Sequence, residues 1–415
     1  MHLRSKCVRG AEPQGLNVLK KEVTIIPAFM STAIPIVIFI LILGVVVFIH
    51  ELGHFVMARR AGVFVEEFAL GMGPRLAGFK GKPQKLKKDD DREGLVWHSS
   101  QPEEDAPAEE STLFSLRLFP IGGFCKMRGQ DEGDEGDPGA LNSKKVWQRA
   151  FVMAGGSLFN FIAAFVLFFV LVLLTGYFVP QVHILGANTP AYHAGLQVGD
   201  RITHIDGRRV SLFENFSTQL NFSGGQPMDV RFIRDGARHD VTITPMQIGA
   251  SYRLGFVPVR YLGLIEPDYE SFSRVGFWGT FTTSAEMIVF NMRMPFTLLA
   301  RLISGRSMPD GAAVMGPIGM AGEVTAIYQE VITEGILQTL LTMLFFTALL
   351  NAALGVMNLL PIPAMDGARL VFLGIEGIRR KPVSPEREGL VHMVGFFVLI
   401  LLAVFIAYRD IVRLL

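Results

Sequence analysis

His50-Glu51-Leu52-Gly53-His54 sets two imidazoles four residues apart, with a carboxylate beside the first. On a helix, residues i and i+4 share a face, so both imidazoles can converge on one ion. The glutamate then points about a quarter-turn away, toward the water that the ion activates. Zinc held by such a pair brings the pKa of its water to about 7, which supplies a hydroxide-like nucleophile at neutral pH. The motif closes an apolar run from Ile34 to Ile49. An ionisable side chain at a bilayer centre costs about 2.5–3.5 kcal/mol even on gentle insertion scales, so three of them within five residues of a span mark a functional site.

Catalytic zinc takes three protein ligands and keeps one position open, so a third donor must come from another part of the chain. The sequence NLLPIPAMDGARL, Asn358 to Leu370, follows an apolar stretch, and its Pro361 and Pro363 break the helix so that Asp366 can turn inward. At 1.5 Å per residue, His50 lies roughly 26 Å into the first span and Asn358 roughly 34 Å into the third, both near the same membrane face. Taken alone, Pro-Ile-Pro and Asp-Gly read as an ordinary loop.

The elements that must position these groups are apolar blocks. Four stretches suit a hydrocarbon core of about 30 Å: residues 33–58, 151–178, 335–360 and 390–408. Residues 1–32 form an N-terminal extension, 59–150 a cytoplasmic region with a polar insertion at 81–111, and 361–389 a cytoplasmic loop carrying the Asp-Gly pair. Residues 270–334 read as an interfacial segment. Its helix from Phe281 to Ile303 is interrupted by Glu286, Arg293, Pro295 and Arg301 and is therefore amphipathic. The insertion, with its charge blocks and prolines, and the acidic tract Asp131 to Asp137 read as solvated linkers; the tract lacks calcium-loop spacing. With 415 residues, 50% of them hydrophobic, and a net charge of +1, the composition points to the lipid bilayer and away from nucleic acid. Cys7 and Cys125 flank the first span on opposite sides, which excludes a disulfide between them.

Basic residues set the orientation. Arg59 and Arg60, then Lys144, Lys145 and Arg149, then Arg369, Arg379, Arg380 and Lys381 all fall on one side of a four-span chain. That side is cytoplasmic, with both termini external. Arg4, Lys6, Arg9, Lys20 and Lys21 oppose this, and a start at Met30 would remove the conflict.

Between the second and third spans, residues 182–259 hold TPAYHAGLQVGDRITHIDGRRV followed by a hairpin whose turn is Asp235-Gly236. This stretch resembles a PDZ domain, a module that binds extended peptides by adding a strand to a sheet edge.

Taken in order, HELGH at 50–54, FALGMGP at 68–74, LRLFPIGGFCKMRGQDE at 116–132, MGPIGMA at 315–321 and NLLPIPAMDGARLVFLGIEGIRRKP at 358–382 resemble the site-2 intramembrane metalloproteases. Within that family the match is to the PDZ-bearing bacterial branch of regulator-of-sigma-E type. The resemblance implies a polytopic α-helical membrane protein with about four transmembrane helices, a membrane-reentrant β-hairpin and one extracytoplasmic PDZ domain, in the bacterial inner membrane. It implies that His50, His54 and Asp366 bind zinc and that Glu51 is the base. Asn358 matches a substrate-contacting asparagine and Asn160 one that packs near the site. Gly71, Gly73, Gly122 and Gly123 belong to the hairpin whose edge would pair with an unwound substrate, although each reads equally as a turn residue. The partners implied are single-span membrane substrates, already shortened by an upstream site-1-type protease, such as an anti-sigma factor or a remnant signal peptide. Ala368 stands where the family has a second glycine, and there is room for one PDZ domain rather than two. The reading from a different class is a non-catalytic membrane adaptor that recruits proteins through its PDZ domain.

Overall fold

The computed structural model describes residues 28–83, 111–130, 137–249, 251–265, 273–305 and 316–414. Cys7, nearly all of the N-terminal extension and of the polar insertion, and residues 131–136 of the acidic tract lie outside them. The chain opens with α1 (Ala28–Arg60), β1 (Val65–Pro83), β2 (Ser111–Met127) and α2 (Val146–Thr175). A β-rich domain follows: β3 (Tyr177–Leu185), α3 (Pro190–His193), β4 (Arg201–Ile205), β5 (Arg208–Arg209), α4 (Phe213–Phe222), β6 (Met228–Arg234), β7 (Ala237–Ile243), β8 (Met246–Ile248), β9 (Ser251–Arg253) and β10 (Phe256–Tyr261). The chain closes with α5 (Phe277–Ile303), α6 (Pro317–Val331), α7 (Ile336–Leu359), α8 (Asp366–Arg379) and α9 (Pro385–Leu414).

Among the described residues four helices, α1, α2, α7 and α9, are long and apolar enough to cross a membrane, matching the four stretches read from the sequence. The second ends earlier than expected. Apolar character continues through Tyr177 and Phe178, but these residues pair with Tyr261 and Arg260 in a sheet, and the helix stops at Gly176 with φ 74°. The position admits only glycine: a Cβ on Gly176 would lie 1.8 Å from the Tyr261 carbonyl oxygen. The fourth span is longer than expected at both ends. Among the described residues, the segment 270–334 holds α5, which covers the expected helix from Phe281 to Ile303 and packs on α2, and α6, which packs on α1 and α9. Asp410 near the end of α9 binds α6 by accepting from the backbone N–H of Gly316 at 3.0 Å and Gly319 at 2.8 Å, donors that a helix N-terminus leaves free.

β1 and β2 pair antiparallel at both ends, Val65 with Met127 down to Leu70 with Gly123, and Ala77 with Leu116 up to Lys80 with Leu113. In the middle, residues 67–70 also pair with 113–116, both numbers rising together. Each long strand is therefore folded, and the expected two-stranded hairpin is a sheet of four segments. The folds occur where Gly71 and Gly73 (φ 88° and 82°) and Gly122 (φ 89°) take left-handed backbone, open to glycine at little steric cost. Its edge segment at 123–127 lies against α1: a Cβ on Gly123 would be 3.3 Å from Val47 and 3.4 Å from Cγ of Glu51.

The β-rich domain is a sheet in the order β10-β3-β4-β6-β7, with β5 on β4 and a separate β8–β9 pair. Its core is local: Ile202, Ile205, Phe216, Leu220, Val230 and Phe232 are buried together.

Candidate metal centre

His50 and His54 lie one turn apart on α1, 7% and 6% exposed, with their rings edge to face at 4.8 Å between centroids. Asp366 is the first residue of α8. Its Oδ2 is 3.2 Å from Nε2 of His50 and 3.1 Å from Nε2 of His54, and the two Nε2 atoms are 3.2 Å apart. These three atoms are all able to ligate a metal, and they lie close enough together to share one ion. Bonds of about 2.0–2.1 Å in tetrahedral geometry put donor atoms about 3.3 Å apart, so the residues fit zinc.

α2 supplies the back wall. Nδ1 of His54 donates to the Val152 carbonyl at 2.9 Å, which leaves Nε2 with its lone pair. The amide of Asn160 is 3.3 Å from Nδ1 of His50. A Cβ on Gly156 would stand 2.5 Å from Cε1 of His50 and 2.6 Å from Nε2 of His54, so the missing side chain is the space the imidazoles fill.

Asp366 is delivered by a turn. Leu360 caps α7 in extended conformation, Pro361 and Pro363 prevent its continuation, and Ala364 takes φ 71°. The Ala364 N–H donates to Nδ1 of His392 on α9 at 2.9 Å. Farther along α8, Leu373 packs into the cluster of Val152 and Met153, and Glu376 forms an ion pair with Arg149 of α2. Both partners are more than four-fifths buried. Arg149→Ala should destabilise the fold by about 3 kcal/mol, because it strands a buried carboxylate. The exchange Arg149→Glu with Glu376→Arg should recover most of that loss in thermal unfolding of detergent-solubilised protein. An exchange no more stable than the single variant would show that the pair does not hold α8.

The triad opens on a cavity of ≈ 620 Å³ lined also by Glu51, Phe124, Asn358 and Arg369. Glu51 shares the cavity without belonging to the triangle, and it receives a backbone hydrogen bond from Cys125. Asn358 is 3.4 Å from Nε2 of His50.

The Peptidase family M50 model matches residues 38–86 and 106–402, which include the whole site. The chain belongs to peptidase family M50. The zinc metalloprotease RasP of Oceanobacillus iheyensis is 27% identical over 463 residues, covering 91% of this chain and 99% of the relative. RasP of Shouchella clausii is 28% identical over 459 residues, covering 91% and 98%. The regulator of sigma-W protease RasP of Bacillus subtilis is 27% identical over 470 residues, covering 93% and 99%. This M50 chain is thus a zinc metallopeptidase, and the triangle of His50, His54 and Asp366 is where its described residues could hold the ion.

Of the residues singled out in the sequence, His50, Glu51, His54, Asn358 and Asp366 meet at one cavity. Asn160 lies behind His50 and does not line it. Gly71, Gly73 and Gly122 stand at the sheet's folds, away from the cavity, and Gly123 is placed between the sheet and Glu51. The sequence reading gave no positioning role to Gly53, Gly155, Gly156, Arg149, Glu376 or His392. The adjacent glycines within a span were a usable signal, since small residues let membrane helices approach closely. Arg149 and Glu376 are 227 residues apart and nothing local pairs them.

Proposed function

We infer that this peptidase cleaves membrane-spanning segments of single-span proteins whose external part has already been removed. The observation that carries this reading is where the site lies: His50, Glu51 and His54 sit within an apolar helix long enough to cross a membrane, and Asn358 ends another. A soluble substrate would have to reach a cavity walled by α1, α7 and α9. In this reading His50, His54 and Asp366 hold zinc, and Glu51 takes a proton from water and returns it to the leaving amine. Asn358 donates its amide N–H to the substrate carbonyl. Zinc, when bound, supplies positive charge that polarises that carbonyl and acidifies water.

The basic residues at the end of α1, the start of α2 and along α8 lie at the site's end of the bundle, which supports a cytoplasmic site and external termini. The location is then the bacterial inner membrane. Residues 182–259 act as a PDZ module over the outer mouth of the site, excluding bulky ectodomains. Its substrates, anti-sigma factors or remnant signal peptides, arrive after a site-1-type protease has trimmed them. Family membership argues against the non-catalytic adaptor.

Zinc content and cleavage of a single-span substrate test the roles together. Asp366→Asn should lower both, whereas Asn358→Ala should keep about one zinc per chain and slow cleavage. Undiminished zinc in the Asp366 variant would sink the ligand assignment.

A further inference from the structure

His50 and His54 set the fold the same problem and meet different answers. A ring nitrogen that binds a cation offers a lone pair, so the proton of the neutral imidazole sits on the other nitrogen and needs an acceptor. For His54 the acceptor is the Val152 carbonyl. For His50, Nε2 faces Asp366 and His54, which leaves Nδ1 to carry the proton.

The group 3.3 Å from that Nδ1 is the side-chain amide of Asn160. Asn160 is wholly buried, and its Oδ1 has no hydrogen-bond partner among the described residues. A carboxamide in the middle of an apolar helix is expensive without a polar task. Its two ends have the same shape, and turning it 180° about its last bond pairs the unpartnered acceptor with the proton on Nδ1.

We propose that Asn160 is a positioning residue whose Oδ1 accepts from Nδ1 of His50, fixing the tautomer and ring plane that aim Nε2 at the metal. Gly156, one turn earlier on α2, leaves the room in which the ring lies, so one face of this helix sets both where His50 sits and which nitrogen it offers. The residue acts through His50 and does not touch substrate.

This inference rests on His50 being a zinc ligand, which is tested separately: His50→Ala should lose zinc whatever Asn160 does. Zinc affinity is then measured on full-length protein in detergent, by competition with a chromophoric chelator. Asn160→Leu should bind zinc about 10- to 100-fold more weakly, the usual effect of removing a hydrogen-bond partner behind a ligand. Asn160→Asp should stay at or above the wild-type affinity, because a carboxylate accepts the same proton. Wild-type affinity in the Leu variant, or equal weakness in both, would overturn the proposal. A measurement on the unaltered zinc-loaded protein guards against variants that fail to fold: histidine ¹⁵N shifts should show a protonated Nδ1 on His50. An unprotonated Nδ1 there would overturn it as well.

Discussion

Glu51→Gln is expected to keep zinc and to slow peptide cleavage by about 10²- to 10⁴-fold, the range that positioned general bases contribute. The two halves of this expectation come from separate observations. Zinc stays because the three atoms that fit the ion come from His50, His54 and Asp366, and Glu51 is not among them. Cleavage fails because Glu51 shares the triad's cavity and an amide has no basic oxygen to take a proton from water. Glutamine has nearly the same volume and still accepts the backbone hydrogen bond from Cys125, so the edge segment at 123–127 keeps its place against α1. Zinc per chain and turnover of a single-span substrate, measured on one preparation, check it. A variant that turns over normally would remove Glu51 from proton transfer, and one that loses zinc would make it part of the metal's holding set.

The sequence made the gathering of His50, His54 and Asp366 legible because it is local or forced. His50 and His54 declare themselves by helical spacing, and Asp366 by the need for a third donor at matching depth. What stayed hidden depends on contacts between distant segments. Alternation in β1 marks a strand, but it does not say that residues 67–70 will pair on both edges, with 113–116 and with 123–126. Apolar continuity through Phe178 hides the end of α2, since the competing partners, Arg260 and Tyr261, lie some eighty residues on. The helix α6 is fastened by Asp410, more than ninety residues away. Asn160 was placed near the site from its motif, and its orientation toward Nδ1 of His50 needed coordinates.

Gly53→Ala should cost about 10²-fold in activity and weaken zinc binding with it, although residue 53 touches neither metal nor substrate. A Cβ there would lie 2.2 Å from the carbonyl oxygen of Gly155, where ordinary contact begins at 3.4 Å. The atoms it meets are backbone, so no side chain can swing aside, and α1 must move from α2 by about 1 Å. A displacement of that size at a reacting centre costs about 10²-fold in rate. Zinc responds too because its donors are divided between the moving parts. His50 and His54 ride on α1, whereas Asp366 rides on α8, which Leu373 and the Arg149–Glu376 pair hold to α2. Separating the helices therefore opens the 3.2 Å triangle on one side. Gly44→Ala, on the same helix, is the control, since a Cβ there meets nothing nearer than 3.7 Å. It should leave zinc affinity and turnover unchanged. Equal behaviour of the two variants would mean that the approach of Gly53 to Gly155 does not set the geometry of the metal centre.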